Sequence, residues 1–440
     1  MIGSEPASRR VVITGLGLVS PVGLSASDFW SALTSGRSGI APLTAPLPQL
    51  QLTYGGESLE FTEHIDNFGP LPAERKKQIR KGLKTLCRES IMGLASAQKA
   101  IGDAGFSEGG FDPDRFGVVF GTDYMLTDAE EFAGAIAACS EGAQGFDYTQ
   151  WATTGFGKLF PLWLLRYLPN MPSAHLGIYN DLRGPSNSIT YREAAGNLAI
   201  TEATRIIQRG QADIMVAGAT GTRLHPMSVV HCLQNEEVAL KSDAPQTVAR
   251  PFDLHRTGMV LGEGAGAIVL ESLESAQARG VKIYGEVVGA GSSTVTDRKL
   301  VARRDAAMAN AMRATLRDAG AKPDEIGHIQ AHGLSTRSAD IAESQAISAV
   351  LGERSKSVPV TAVKSYTGNL GAGSGALELI AGLLALEHKR MFPVLNFHTP
   401  DPECPINVVT RDDVSAGDSF LNLCVTPQGQ ASCVMVRRAG

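Results

Sequence analysis

A repeated unit constrains this chain most: a short β-branched run, then glycine, then a helix-like segment. It occurs at Val11-Val12-Ile13-Thr14-Gly15, Phe116 to Gly121, Ser188-Ile189-Thr190, Asp213 to Gly218 and Ala267 to Leu270. A second series begins near residue 280, at Ile283 to Gly289, Ile326 to His332, Val358 to Val363, Phe420 to Thr426 and Ser432 to Val436. Strand runs alternating with helices build buried sheets covered by helices, so the predicted fold class is α/β. The expected helices, Cys87 to Ala104, Gly196 to Arg209, Asp305 to Ala319 and Gly375 to His388, carry small or apolar residues at i, i+3 and i+4, the stripe that packs on a sheet. No low-complexity linker separates the two series. The chain therefore reads as two similar α/β halves, 9–255 and 256–440, fused into one core. Its 48 glycines fit many close backbone approaches. The least regular stretch, about 125–180, is rich in Gly, Pro and aromatics and reads as an insertion covering a site or a partner surface.

Several classes of function are disfavoured at this level. A formal net charge of −5 speaks against a general nucleic-acid binder. No run reaches the ~18 apolar residues of a membrane span, and Met1 to Arg10 lacks an apolar signal region, so a cytoplasmic protein is expected. The six cysteines are scattered, never as C-x-x-C, and read as reduced core thiols. The histidines show no metal-ligand spacing, and no metal is expected. Gly15-Leu16-Gly17 resembles the start of a dinucleotide fingerprint, but no third glycine follows at the required offset and Pro21 stands where a helix should open. A nicotinamide-dependent oxidoreductase rests on that fragment alone, and a tight turn in a buried sheet is the preferred reading. Gly368 to Gly375 lacks the Gly-Lys-Ser/Thr ending of a P-loop and is expected to pack backbone around a site.

Five segments in order resemble the β-ketoacyl synthase family of the thiolase superfamily. These are Arg10 to Gly17 with Ser20-Pro21-Val22-Gly23; the nucleophile segment Gly184 to Gly196; Arg250-Pro251-Phe252-Asp253 through Gly262 to Gly266; Ala331-His332-Gly333-Leu334-Ser335-Thr336 followed by Asp340 and Glu343; and Val363 to Gly371. The resemblance implies a thiolase-like fold with a five-layered α-β-α-β-α core. It also implies a nucleophilic cysteine at the start of a buried helix, two histidines that polarise a thioester carbonyl, and a Lys–Glu pair beside them, here Lys364 and Glu343.

At the site the chain departs from that pattern. Glu193 falls at the position of the family cysteine and Asn369 at that of the second histidine, while His332 and Lys364 persist. Thr426 stands at the position of the gate phenylalanine, followed by Pro427. Leu334 and Ser292 to Arg298 alter the region that in the family receives pantetheine. An ionised Glu193 would need its charge quenched by protonation, by His332, by Lys364 or by Arg192.

These departures lead to three expectations. The first is a non-condensing, chain-length-factor-like subunit, with an active ketosynthase as heterodimer partner or a second copy as homodimer partner. Tyr124, Met125, Tyr191 and Arg192 would then plug or line the tunnel near the interface. The second is malonyl-thioester decarboxylation by His332 and Asn369. The third is an active 3-oxoacyl-[acyl-carrier-protein] synthase with an atypical site. Lys76, Lys77, Arg80, Lys81 and Lys84, with Arg88, recur at helical spacing and would form a basic face for an acidic acyl carrier protein, whose phosphopantetheine arm would be the substrate carrier if bound at all. No other cofactor is expected. A second basic group, Arg298, Lys299, Arg303 and Arg304, lies near the altered pantetheine region. The aromatics from Trp151 to Tyr167 read as core or dimer interface.

Overall fold

The computed structural model describes residues 9–140 and 145–439. The leader reading of Met1 to Arg10 therefore falls largely on residues outside the described ones, as do 141–144 of the expected insertion.

All ten strand signals become strands of one continuous sheet. The first five are β1 (Val11–Val19), β2 (Phe116–Thr122), β3 (Ser186–Thr190), β4 (Ile214–Thr222) and β5 (Glu263–Ser272). The second five are β6 (Gly285–Thr294), β7 (His328–Gln330), β8 (Val360–Thr361), β9 (Ser419–Val425) and β10 (Gln430–Arg437). Their order is β3-β2-β4-β5-β1 followed by β6-β10-β9-β7-β8. Read outward from the β1–β6 junction, each half has the same sequence of neighbours. The ladder directions also repeat: β2 is parallel to β3 and β4, and β5 is antiparallel to β4 and β1, as β7 is parallel to β8 and β9, and β10 antiparallel to β9 and β6. The halves meet through two antiparallel residue pairs, Val12 with Glu286 and Ile13 with Gly285. The repeat therefore breaks between Ser272 and Gly285, beyond the 255/256 division expected from sequence, because β5 completes the first sheet half.

The expected helices are α1 (Arg88–Asp103), α2 (Ala195–Gln208), α3 (Arg304–Ala319) and α5 (Gly373–His388), with α4 (Arg337–Leu351) before the last. Helix α1 covers the outer face of the first half and α3 that of the second, with α4 packed beside α3. Helices α2 and α5 lie against each other between the halves, α2 touching β2, β4 and β10, and α5 touching β4, β5, β7 and β9. This is the layered α/β architecture expected. Three apolar clusters match it, one around the central helix pair and one under each outer helix layer. In the central layer α5 is buried along Gly373–Leu386.

Gly15-Leu16-Gly17 lies inside β1 and forms no turn. A Cβ at Gly17 would lie 2.0 Å from the Ser96 carbonyl oxygen, and one at Gly15 2.2 Å from that of Ala100. These glycines let β1 sit directly on α1, which accounts for the fingerprint-like spacing without a phosphate. A two-stranded hairpin, Ala41–Leu47 with Leu52–Gly55, is an element that period-2 reading did not find, since Pro42 and Pro46 interrupt it. Among the described residues of 125–180 are the helices Ala129–Ala138, Trp163–Arg166 and Met171–Asn180. Among the described residues no helix is long and apolar enough to cross a membrane.

Candidate functional site

Glu193 lies in a 3-10 turn, Arg192–Ala194, that runs straight into α2. Gly196 and Gly375 allow α2 and α5 to approach: a Cβ at Gly196 would lie 2.8 Å from the Ala376 backbone nitrogen. This brings the α2 start against the loop before α5, which carries Asn369. Glu193 is 1% exposed. Its Oε1 accepts from the Arg223 guanidinium and, at 3.2 Å, from Asn369 Nδ2. Arg192 Nε is 3.7 Å from Oε2.

Arg223 is the residue that sequence reading missed. It follows directly on β4, is 1% exposed, and is the largest fully buried side chain among the described residues. Its Nη2 also lies 3.4 Å from Asp123 Oδ2. Gly371, at φ +62°, leaves room for the guanidinium: a Cβ there would lie 3.1 Å from Arg223 Nε. Two guanidiniums, Arg192 and Arg223, thus face three carboxyls, Glu193, Asp123 and Glu236; Arg192 Nη2 bonds Glu236 Oε1 at 2.7 Å. Burial opposes ionisation of Glu193, but the charges of Arg223 and then Arg192 outweigh it and hold the carboxyl at about 2. Burial and the Glu193 charge push Asp123 and Glu236 the other way despite the same arginines. Glu193 is therefore the fixed anion of the cluster. Of the four quenching routes weighed from the sequence, the neighbouring arginines disfavour protonation, and Lys364 is engaged with Glu378. Arg192 contributes, and Arg223 is the main partner.

His332 follows β7 and is 2% exposed. Lys364 Nζ donates to the His332 carbonyl oxygen at 2.7 Å and meets Nδ1 at 3.2 Å. Burial, then the Lys364 charge, lowers His332 well below its ordinary range, so the imidazole is neutral with Nδ1 as acceptor and its proton on Nε2. The expected Lys364–Glu343 pair is not formed. Lys364 pairs with Glu378, a buried acid in the middle of α5, and Glu343 accepts the backbone N–H groups of His332 at 2.7 Å and Gly333 at 2.8 Å. Glu343 sits on α4, where its reach is to the His332 turn. Asn369 Oδ1 accepts from Gly371 N at 3.1 Å and Ser374 Oγ at 3.3 Å, which fixes Nδ2 toward Glu193.

Thr426 is fully buried at the β9–β10 hairpin, where its hydroxyl donates to the Gln430 side chain and accepts from Gln430 N at 3.2 Å. Pro427 and Leu334 line a surface cleft of about 310 Å³ with Glu236, Glu237, Arg304 and Thr336. The Arg192–Glu236 pair stands between this cleft and Glu193. On the other side, Tyr124 bonds His231, Met125 lies 3.7 Å from Cys87 Sγ, and Tyr191 is exposed. Arg192 adopts φ +50°, so its side chain turns inward while Tyr191 turns out.

Helix Ala73–Gly82 carries Lys76, Lys77, Arg80 and Lys81, with Lys84 in the next turn. Arg88 leaves this face: it pairs with Glu263 and Glu63 at the start of α1, because a guanidinium is needed inside to neutralise the buried Glu263. In the second basic group Arg303 is paired with Asp305 and Arg304 bonds Ser338. Among the described residues no three His, Cys, Asp or Glu side chains converge as a metal would require.

The model of the β-ketoacyl synthase N-terminal domain matches residues 8–276, and that of the C-terminal domain matches 284–398. The chain belongs to the β-ketoacyl synthase family. A relative from Synechocystis sp., 3-oxoacyl-[acyl-carrier-protein] synthase 2, is 32% identical over 429 residues, covering 94% of this chain and 95% of the relative. A second, of the same name from Coxiella burnetii, is 32% identical over 407 residues and 92% of each chain. Among solved structures, a type II polyketide synthase acyl-carrier protein in complex with its ketosynthase bound to a hexaketide, AntDE:AntF, superposes with a TM-score of 0.83 at 28% identity, covering 98% of this chain and all of that one. The ishigamide ketosynthase/chain length factor does so with 0.79 at 29% identity, covering 99% of this chain and all of that one.

Proposed function

We propose that this chain is a non-condensing, chain-length-factor-like subunit that works beside an active ketosynthase. The observation that carries the reading is the ionised Glu193, locked by Arg223 and Asn369 at the start of α2. Condensation needs a nucleophile that takes an acyl group from a thioester and holds it. A carboxylate engaged by a buried guanidinium is a poor nucleophile, and an acyl anhydride formed on it would hydrolyse.

Partnership is supported by the surface. Strand β3 is one edge of the sheet, with Ser186 and Asn187 exposed. Of the large apolar side chains left exposed, Phe146, Tyr148, Phe156, Phe160, Leu164 and Ile178 all belong to the segment that precedes β3. An unpaired edge beside such side chains is a surface that natural proteins cover. The aromatic segment thus fits an interface, and Tyr191 would face the partner. The basic helix Ala73–Gly82 offers an acidic carrier protein a docking face. All six cysteines are free thiols, as in a reducing cytoplasm.

The neutral His332, with its proton on Nε2, is the observation that favours decarboxylation as a second reading, since that proton would face a developing enolate oxygen. Asn369 Nδ2, the other donor required, is already given to Glu193, and the Glu193 charge would repel a malonyl carboxylate. The subunit reading is therefore preferred. Incubating the purified chain with malonyl-loaded carrier protein checks both. The expected outcome is no acyl adduct by intact mass and no acetyl product. An acyl-enzyme would overturn the subunit reading, and acetyl product abolished by His332→Ala would establish the second.

A further inference from the structure

Strand β6 begins opposite Ile13 and pairs with β1 only at Val12 and Ile13, so the same edge of β1 further along has no strand beside it. Two side chains of α1 occupy that edge instead. Asp103 Oδ2 accepts from Leu16 N at 2.9 Å and from the Tyr284 hydroxyl at 2.8 Å. Lys99 Nζ donates to the carbonyl oxygens of Leu18 at 3.2 Å and Leu24 at 2.8 Å. A lysine and an aspartate four residues apart on a helix ordinarily meet. Here each is drawn to the backbone, and the two do not pair. A cleft of about 280 Å³ opens at this edge, lined by both charged side chains with Leu24, Ala26 and Gly69. It lies toward the C-terminal end of α1, roughly 15 Å along the helix from Glu89, whose carboxyl senses Asp123 and Arg223. None of its lining residues belongs to the Glu193 site.

Lys99 is the one cation among the residues lining the cleft, and it is short of negative charge. Burial pulls the ammonium down to about 8, against a smaller opposing effect of Asp28. A carboxylate brought into the cleft would supply the missing counter-charge. A simple anion would also meet Asp103 and the field of Asp28, two acids against one lysine. Lys282, over the Tyr284 ring, offers Asp103 no relief, since it pairs with Glu387. An amine alone would leave Lys99 unanswered. A molecule carrying a carboxylate and an ammonium a few bonds apart answers both, with Asp103 Oδ1 left open because Leu16 N and the Tyr284 hydroxyl engage Oδ2. The volume corresponds to on the order of ten water-sized units, which suits a body the size of leucine. We propose that this cleft binds a free α-amino acid with a small aliphatic side chain, its carboxylate at Lys99, its ammonium at Asp103 and its side chain against Leu24 and Ala26. Neither Glu193 nor a partner subunit takes part.

Ligand-observed NMR on the full chain tests this with L-leucine and two analogues of similar shape, isovalerate, which lacks the ammonium, and isoamylamine, which lacks the carboxylate. Leucine is expected to bind with a dissociation constant on the order of 1 mM, and each analogue at least about tenfold more weakly. Asp103→Asn keeps an acceptor for Leu16 N, so the edge of β1 stays capped, yet it should weaken leucine at least about tenfold. Lys99→Met should do the same while also giving up the bonds to Leu18 and Leu24. Thermal unfolding of both variants confirms that they fold, and the Asn variant carries the test should the Met variant not. No leucine binding up to about 10 mM, either analogue binding as well as leucine, or leucine binding unchanged in a folded variant would overturn the proposal. None of these readouts involves turnover or a partner, so their failure leaves the subunit reading standing, and failure of partnership leaves the cleft standing.

Discussion

Replacing Arg223 by methionine is expected to destabilise the folded chain by about 3–5 kcal/mol in urea unfolding, because it strands Glu193 and Asp123 as buried carboxyls without their shared cation. Methionine keeps most of the stem's packing, so the loss reports charge more than volume. The paired variant Glu193→Leu/Arg223→Met should recover much of it, since a buried pair replaced by apolar groups of similar size is often neutral. The pair also has a signature in acid. Glu193 sits at about 2 in the folded chain against an ordinary value of 4.5, so the stability it contributes is fully present above that ordinary value and is lost as pH falls toward 2. In Arg223→Met this acid-labile part should disappear. Equal loss at every pH, or no recovery in the double variant, would mean that Arg223 acts through packing alone.

Replacing Lys364 by methionine should cost a similar amount, about 3–5 kcal/mol, with Glu378 as the stranded charge. The ε-ammonium is also the donor to the His332 carbonyl and the neighbour of Nδ1. Its loss removes the positive charge that helps hold His332 neutral, so NMR titration should find the His332 pKa raised toward its ordinary value. The compensating variant is Lys364→Met/Glu378→Leu, which should restore stability without restoring the imidazole environment. A His332 titration unmoved by Lys364→Met would show that burial alone sets it.

The strands were legible as short β-branched runs, most of them beside a glycine, and the helices because their stripes are long. What sequence spacing could not give was direction. Gly15 and Gly17 have the right spacing for a phosphate turn, but their lack of a side chain serves α1 across the strand. Arg88 has helical spacing with the exposed lysines, yet lies where α1 begins and turns toward Glu263. Glu193 was expected to be quenched by His332, Lys364 or Arg192 and Lys364 to pair with Glu343, whereas the main partners are Arg223 and Glu378. Glu378 did leave a signal, since a lone acid inside the apolar run Ala376-Leu377-Glu378-Leu379-Ile380 must be paired once buried. Arg223 left a weaker one, as a single arginine ending an apolar strand fits a solvated loop equally well. Only three-dimensional packing against Gly371 and Glu193 distinguishes the two.

In the proposed reading, Glu193, held by Arg223 and Asn369, stands where an acyl group would be held. The most direct test is co-expression of the tagged chain with an active ketosynthase, followed by purification and assay with acyl carrier protein and malonyl thioester. The account expects a stable heterodimer that elongates, with activity depending on the partner's nucleophile and unaffected when Glu193 is replaced by glutamine. A chain that purifies only as a homodimer and elongates by itself would contradict it.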